Sequence, residues 1–333
     1  MIIKSIKLKN FRNHSEYFLE CKDETSLILG KNGCGKTSVL EAIYILTRGK
    51  SFRATDIEIL KRGQEYYRIE LEFTNGEKIL ATFDGKTKSF SILDKKTRRL
   101  PKNHKYPVIL FLPSDLNLIS HSPGRRREYF DRIFSQFNEL YAVTLSKYEK
   151  SLKQRNELLK KENVSTSDVF SWDILLANYG AKIHLLRKQY IDEINKHLTD
   201  IYRSIAKTKD EINIIYKTEL DDISSDKYLK KLAENFQKDL YLGHTSFGIH
   251  RDDYIFEFNH KLANGSASRG ESRSIILALK FIEANLISEK LNKKPIILLD
   301  DVFSELDETR RKCLVDNFKN NQVIITSVEY IDI

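Results

Sequence analysis

The chain has 333 residues, 41% of them hydrophobic and 31% charged, which supplies enough apolar material for a sizeable folded core. No stretch approaches the roughly 20 apolar residues of a membrane span, and the N-terminus MIIKSIKLKNFRN lacks the apolar run and cleavage site of a signal peptide. Cys21, Cys34 and Cys313 are too scattered for a disulfide framework or a zinc site, so reduced thiols in a cytoplasmic protein without membrane contact are expected. The net charge of +9 suits an anionic partner such as nucleic acid, or equally a solvated lysine-rich surface, because net charge says nothing about clustering.

Along the chain, Ile2–Leu8 and Ser26–Leu29 read as strands, the second leading into a Gly-rich loop. Residues 37–47, TSVLEAIYILT, have helical spacing, with Leu40, Ile43 and Tyr44 on one face and Thr47 a turn further on. Residues 67–93 alternate polar and apolar. Asn75-Gly76 and Asp84-Gly85 punctuate them with dipeptides that tolerate positive φ, which predicts an antiparallel meander. Val108–Leu112 reads as a buried strand closed by Pro113. From 125 to 160 the apolar residues Phe130, Ile133, Phe134, Phe137, Leu140 and Tyr141, then Leu145, Tyr148 and Leu152, recur at helical spacing. A second helical stretch is expected from about Ser171 to Ile205, behind a polar loop whose Ser167 or Asp168 is placed to cap it. No strict heptad is sustained, so no long coiled coil is expected. After about residue 240 the mixed pattern returns, with Ile275–Ile287 helical and Pro295–Leu299 and Gln322–Ile325 as strands.

The chemistry concentrates in two motifs. Gly30-Lys31-Asn32-Gly33-Cys34-Gly35-Lys36-Thr37 fills G-x-x-x-x-G-K-[ST] completely, with a strand before it and a helix after it. Glycines let backbone N–H groups wrap phosphates, and the following helix, with Ser38 in its first turn, adds its N-terminal dipole. ATP with Mg²⁺ is the expected ligand: Lys36 reaches the β and γ phosphates and the Thr37 hydroxyl binds the metal. Such a site needs a carboxylate at the end of a neighbouring buried strand, and PIILLDD supplies it. Asp300 is the candidate Mg²⁺ partner, directly or through water, and Asp301 the residue that orients or deprotonates the attacking water.

Two further segments are weak alone. Ser268-Arg269-Gly270-Glu271, ahead of an apolar helix, reads as a helix cap, and Ser304-Glu305-Leu306-Asp307 as a capping box. In this order behind a phosphate loop they resemble the signature motif and D-loop of ABC-type ATPases of the SMC-like branch. NFRNH (10–14), RGKSFR (48–53), SPGRRREYFDR (122–132), LKQRNELLK (152–160), HRDDYIF (250–256), ASRGESR (267–273) and LLDDVFSELD (298–307) extend the likeness over nearly the whole chain. Together they resemble the RecF family of bacterial recombination mediators.

The resemblance implies an α/β, SMC-like ATPase head. Its ATPase lobe, residues 1–120 and 286–333, carries the phosphate loop, an antiparallel meander, the aspartates and the D-loop with Ser304 and Asp307. A mainly helical second lobe, 121–285, carries the signature. It further implies an ATP-dependent homodimer in which Ser268 of one copy completes the phosphate loop of the other, with slow hydrolysis as a reset. The implied partners are double-stranded, gapped or junction DNA, RecR and RecO. Arg12 and Asn13 lie near the nucleotide or serve the fold. Asp115 stands where ABC proteins carry the Q-loop, and Thr326 or Ser327 where transporters carry the switch histidine, so one of these would have to contact the γ-phosphate or its water. Family members usually continue further beyond the last strand than this chain does. Candidate DNA contacts are Arg48, Lys50 and Arg53, the cluster Arg125, Arg126 and Arg127, and Lys147, Lys150, Lys153 and Arg155. Internal ion pairing, with Glu128 and Asp131 at hand, is the competing role for these residues. An ATP-regulated interaction module without DNA contact is the alternative function. A transporter subunit fits poorly without the histidine and glutamine.

Overall fold

The computed structural model describes residues 2–220 and 224–330. The chain divides into two compact units, Met1–Leu116 with Glu283–Ile333, and Asn117–Ile282.

The first unit begins with a hairpin. β1 (Ile3–Phe11) turns through Arg12-Asn13 into β2 (His14–Glu20), with Phe11 opposite His14. β3 (Thr25–Leu29) feeds the Gly-rich loop and α1 (Lys36–Arg48). A short α2 (Asp56–Ile59) leads into the meander β4 (Tyr67–Phe73), β5 (Lys78–Phe83), β6 (Lys88–Ile92) and β7 (Lys95–Thr97). β8 (Val108–Phe111) follows and is buried throughout.

The second unit is mostly helical: α3 (Pro123–Phe137), α4 (Glu139–Leu159) and α5 (Thr166–Ala206), the last of 41 residues. β9 (Ile212–Lys217), α6 (Ser225–Glu234), α7 (Phe236–Leu242), β10 (Asp253–Phe258), β11 (Lys261–Leu262) and α8 (Ala263–Ser266) complete it, up to α9 (Arg269–Leu291), in which the division falls. The chain then returns to the first unit with β12 (Ile296–Asp300), α10 (Glu308–Phe318) and β13 (Val323–Ser327).

Two sheets build the first unit. One is antiparallel, in the order β2-β1-β4-β5-β6-β7; the other is parallel, β3-β13-β12-β8. α1 packs against β1, β4 and β5 of the first and β8, β12 and β13 of the second. Being enclosed between them, it is buried at every position from Ser38 to Thr47. The single apolar face expected of Leu40, Ile43 and Tyr44 was therefore too narrow a reading. The core of this unit lies here, with Leu8, Ile43, Ile69, Val108 and Leu298 among its members.

Other sequence expectations shift in detail. The second long helix begins at Thr166, and Ser165 caps it through a capping box in which Asp168 is the third helical residue; Ser167 is not the cap. β2 and β9 were not anticipated. The outer edge of β9 is closed by helix side chains, where a strand would otherwise pair. Asn195 donates to Ile214 O (2.8 Å) and accepts from Ile214 N (2.9 Å), and Thr199 does the same for Ile212 (2.8 and 3.1 Å).

The second unit also holds an oriented polar chain. Since Thr245 O only accepts, His250 Nε2 carries the proton that reaches it (3.0 Å), so Nδ1 accepts from the Tyr148 hydroxyl (2.7 Å), itself 2.8 Å from Tyr228 Oη. Burial is the main cause that lowers His250 from 6.5 to about 4. The folded state therefore binds fewer protons than the unfolded one between those values, and stability falls as pH drops through that window. Denaturation of the wild-type chain should steepen there by up to about 1.4 kcal/mol per pH unit. His250→Gln should be less stable at pH 7 and lack that slope; an unchanged slope would remove His250 as its source.

Candidate functional site

The parallel sheet brings the two motifs together. Thr326 pairs with Asp300 on one side and Ile28 on the other, and Ser327 pairs with Leu29, so β13 lies between the strand that enters the Gly-rich loop and the strand that ends in the aspartates. Residues 263 positions apart then touch: Thr37 Oγ1 donates to Asp300 Oδ1 at 2.8 Å and lies 3.0 Å from Oδ2.

The loop geometry depends on its glycines. Gly33 and Gly35 adopt φ of 81° and 104°, which side chains rarely accept. A Cβ at Gly35 would also strike His14 and Asn13, and one at Gly30 would strike Cys34 Sγ. The tip of the β1–β2 hairpin supports the loop from behind: Asn13 Nδ2 donates to Gly33 O (3.0 Å), and His14 Nε2 lies 3.1 Å from Gly35 O. Lys31, Asn32 and Cys34 are exposed, and Ser38 is buried in the first turn of α1. Lys36 is buried, its Nζ donating to Gly30 O (2.8 Å) and standing 3.5 Å from Asp301 Oδ2.

Asp301 adopts φ 49°, and its Oδ1 is buried without a hydrogen-bond partner. Such an orphaned acceptor is costly unless a ligand supplies the missing donor. Burial raises the Asp300 carboxyl above its ordinary range, and hydrogen bonds from Thr37 and Thr326 oppose that shift. A backbone cradle, an ammonium, a hydroxyl beside a carboxylate and an unpartnered carboxylate oxygen fit a polyphosphate with a hard divalent cation.

Of the two N-terminal candidates only Asn13 bonds the loop. Arg12 turns inward to Glu41 of α1, making two hydrogen bonds of 2.9 and 2.8 Å, and also donates to Glu58 O. Glu41 is fully buried and additionally accepts from Ser51 (2.6 Å) and Arg53 (2.9 Å). Burial raises this carboxyl, but the bonds from Arg12, Arg53 and Ser51 outweigh it and hold it below the usual range. His14 and Glu41 were missed, although His14 stood inside the NFRNH segment.

Ser268 and Glu271 form a reciprocal cap at the start of α9: Ser268 N–H donates to Glu271 Oε2 (2.6 Å) and Glu271 N–H to Ser268 Oγ (3.3 Å). Ser268 and Arg269 are exposed and Gly270 is half-buried. Ser304 Oγ donates to Asp301 O (2.7 Å), and Asp307 caps α10 by accepting from Arg310 N (2.9 Å). Asp115 is buried and accepts from Leu112 N–H, which makes it a turn-former, not an outward Q-loop group.

The basic candidates separate by burial. Arg155 is fully enclosed, bonded to Asp173 (2.5 Å), Asp239 (2.7 Å) and Thr245 (2.9 Å), and Arg126 is buried against both oxygens of Asp253 (2.7 Å each). Neither is available to a phosphate backbone, which corrects their assignment as DNA contacts. Arg127 donates to Asp252 O, Arg48 to Tyr106 O and Arg53 to Glu41. Arg125 pairs with Glu128 at the surface, whereas Asp131 is taken by Arg187. Lys50, Lys147, Lys150 and Lys153 face solvent.

A family model described as an AAA ATPase domain matches residues 1–327. The DNA replication and repair protein RecF of Clostridioides difficile (strain 630) is 35% identical over 343 residues, covering 99% of this chain and 92% of that protein. The RecF of Leptospira interrogans serogroup Icterohaemorrhagiae serovar copenhageni (strain Fiocruz L1-130) is 35% identical over 324 residues, covering 95% and 88%. Among solved structures, the recombination mediator protein RecF-ATP of the RecFOR pathway matches with TM-score 0.88 and 29% identity over 100% of this chain and 93% of that one. Among the described residues no helix is long and apolar enough to cross a membrane.

Because burial raises Asp300, its ionised form weakens the folded state at neutral pH. Asp300→Asn should therefore raise the thermal stability of the ligand-free protein by up to about 1 kcal/mol, the direction expected where a site is held against stability for function. A lowered melting temperature would contradict that reading.

Proposed function

The chain belongs to the RecF family of DNA replication and repair proteins, and we propose that it acts there as an ATP-operated clamp whose two copies close on DNA when each holds a nucleotide. The observation that carries this reading is the closure of the Gly-rich loop onto the aspartates, Thr37 to Asp300 and Lys36 to Asp301. When bound, MgATP supplies a cation-neutralised triphosphate whose terminal phosphoanhydride bond is the one broken. Backbone N–H groups of the Gly-rich loop would cradle its oxygens, and Lys36 would neutralise the terminal phosphate. The Thr37 hydroxyl and Asp300 would hold the cation. Asp301 Oδ1, unpartnered and buried, accepts a proton from the attacking water.

Dimerisation follows from an incomplete site. One chain's loop supplies cations and donors on one side, and Ser268, exposed at the start of α9 with Glu271 fixing its turn, is the group that completes the site from a second copy. ATP is then a population switch, since it binds the paired state better than the single one, and slow hydrolysis releases the pair. The relatives' names, DNA replication and repair protein and recombination mediator of the RecFOR pathway, support DNA, RecR and RecO as partners. Lys50, Lys147, Lys150, Lys153, Arg125 and Arg53, which are exposed, are the candidates to meet phosphates. Without base-reading motifs the binding should follow DNA structure more than sequence. The internal pairing of Arg126 and Arg155 favours one alternative, a nucleotide-regulated module with no DNA contact of its own.

Lys36→Ala should lose ATP binding, and Ser268→Arg should keep it while failing to dimerise with ATP, as read by sedimentation. Normal ATP-dependent dimers from Ser268→Arg would overturn the shared site. In mobility shifts against salt, removing each true lysine contact should lower the slope by about 0.9. Binding that is absent or indifferent to salt would support the module instead.

A further inference from the structure

Resting on that nucleotide reading, we propose that Thr326 is the positioning residue of the site, a single hydroxyl that aligns both aspartates. Thr326 is fully buried at the end of β13. Its Oγ1 lies 2.9 Å from Asp300 Oδ1 and 3.0 Å from Asp301 N. The Asp301 N–H can only donate, so the hydroxyl accepts from it and directs its own proton to Asp300. One oriented chain thus runs from the backbone of one aspartate to the carboxylate of the other.

Asp301 stands in the left-handed region at φ 49°, which Asp tolerates better than most side chains. Its N–H is bonded to Thr326 twice over, at the hydroxyl and at the backbone carbonyl (3.2 Å). That conformation brings Asp301 Oδ2 to 3.5 Å from Lys36. Asp300 accepts from two hydroxyls, and in the nucleotide reading Thr37 turns to the cation, so Thr326 remains to fix the carboxylate. The β-branched side chain, stiff at χ1, suits that task. Ser327 does something else: its hydroxyl accepts from Glu329 N (3.2 Å) and its carbonyl from Gly30 N (3.2 Å). Thr326 therefore works on the aspartates, where a switch residue would reach for phosphate.

The test is steady-state ATP hydrolysis with kcat and KM separated, alongside nucleotide affinity and melting temperature, for the wild type, Thr326→Val, Thr326→Ser and Asp301→Asn. Thr326→Val keeps the shape and removes the hydroxyl. It should lower kcat by about tenfold to a hundredfold, the scale of a small misplacement, with affinity and KM within about threefold. Thr326→Ser should stay within about threefold of wild type in all of them. If Thr326→Val does not fold, the pair Thr326→Ser and Thr326→Ala, differing only in the hydroxyl, must show the same contrast. Wild-type kcat in Thr326→Val, or equal kcat in the Ser and Ala variants, with Asp301→Asn inactive, would overturn this role and leave the site reading standing. An unimpaired Asp301→Asn, or no hydrolysis by the wild type, would overturn both.

Discussion

The contact between the Thr37 hydroxyl and the Asp300 carboxylate organises the first unit, because it joins two motifs that lie 263 positions apart. It exists only if β3, β13 and β12 adopt their parallel register, which sets Thr326 between Ile28 and Asp300. A slip of one residue would turn each side chain to the other face of the sheet. α1 depends on the same register, because it is enclosed between this sheet and the antiparallel one and tolerates no free face.

Around that contact the protein keeps groups that weaken the fold. Asp300 is buried with a raised pKa, and Asp301 Oδ1 is buried without a hydrogen-bond partner. Each is a cost unless a ligand supplies what is missing. Glu41 is the contrasting case. It is as deeply buried, but five hydrogen bonds from Arg12, Ser51 and Arg53 satisfy it, so its role is to tie the hairpin and the segment after α1 to the helix. Buried charge that is fully bonded supports structure, and buried charge left open marks the site.

The Gly-rich loop between its strand and helix, and the aspartates at a strand end, were legible because each is local: spacing, glycine and a flanking strand or helix suffice. The meander was legible because Asn75-Gly76 and Asp84-Gly85 force turns between alternating runs. The bonds from Thr326 to both aspartates were not, since they depend on a neighbour strand and on which way one hydroxyl points. Arg155 and Arg126 were misread because a sequence shows the sign of a charge and not its partner. Their partners Asp239 and Asp253 stand 84 and 127 residues away. β9 escaped notice because it is short and its exposed Ile215 follows buried Ile214, which breaks the polar–apolar alternation.

Whether a second copy completes the site is tested directly by mixing two variants. Lys36→Ala and Ser268→Arg should each hydrolyse almost no ATP alone. Combined, one copy lends its intact loop and the other its intact Ser268, so the mixture should hydrolyse ATP well above the sum of the two. A mixture no more active than that sum, while both variants remain folded and the wild type is active, would contradict a site shared between two copies.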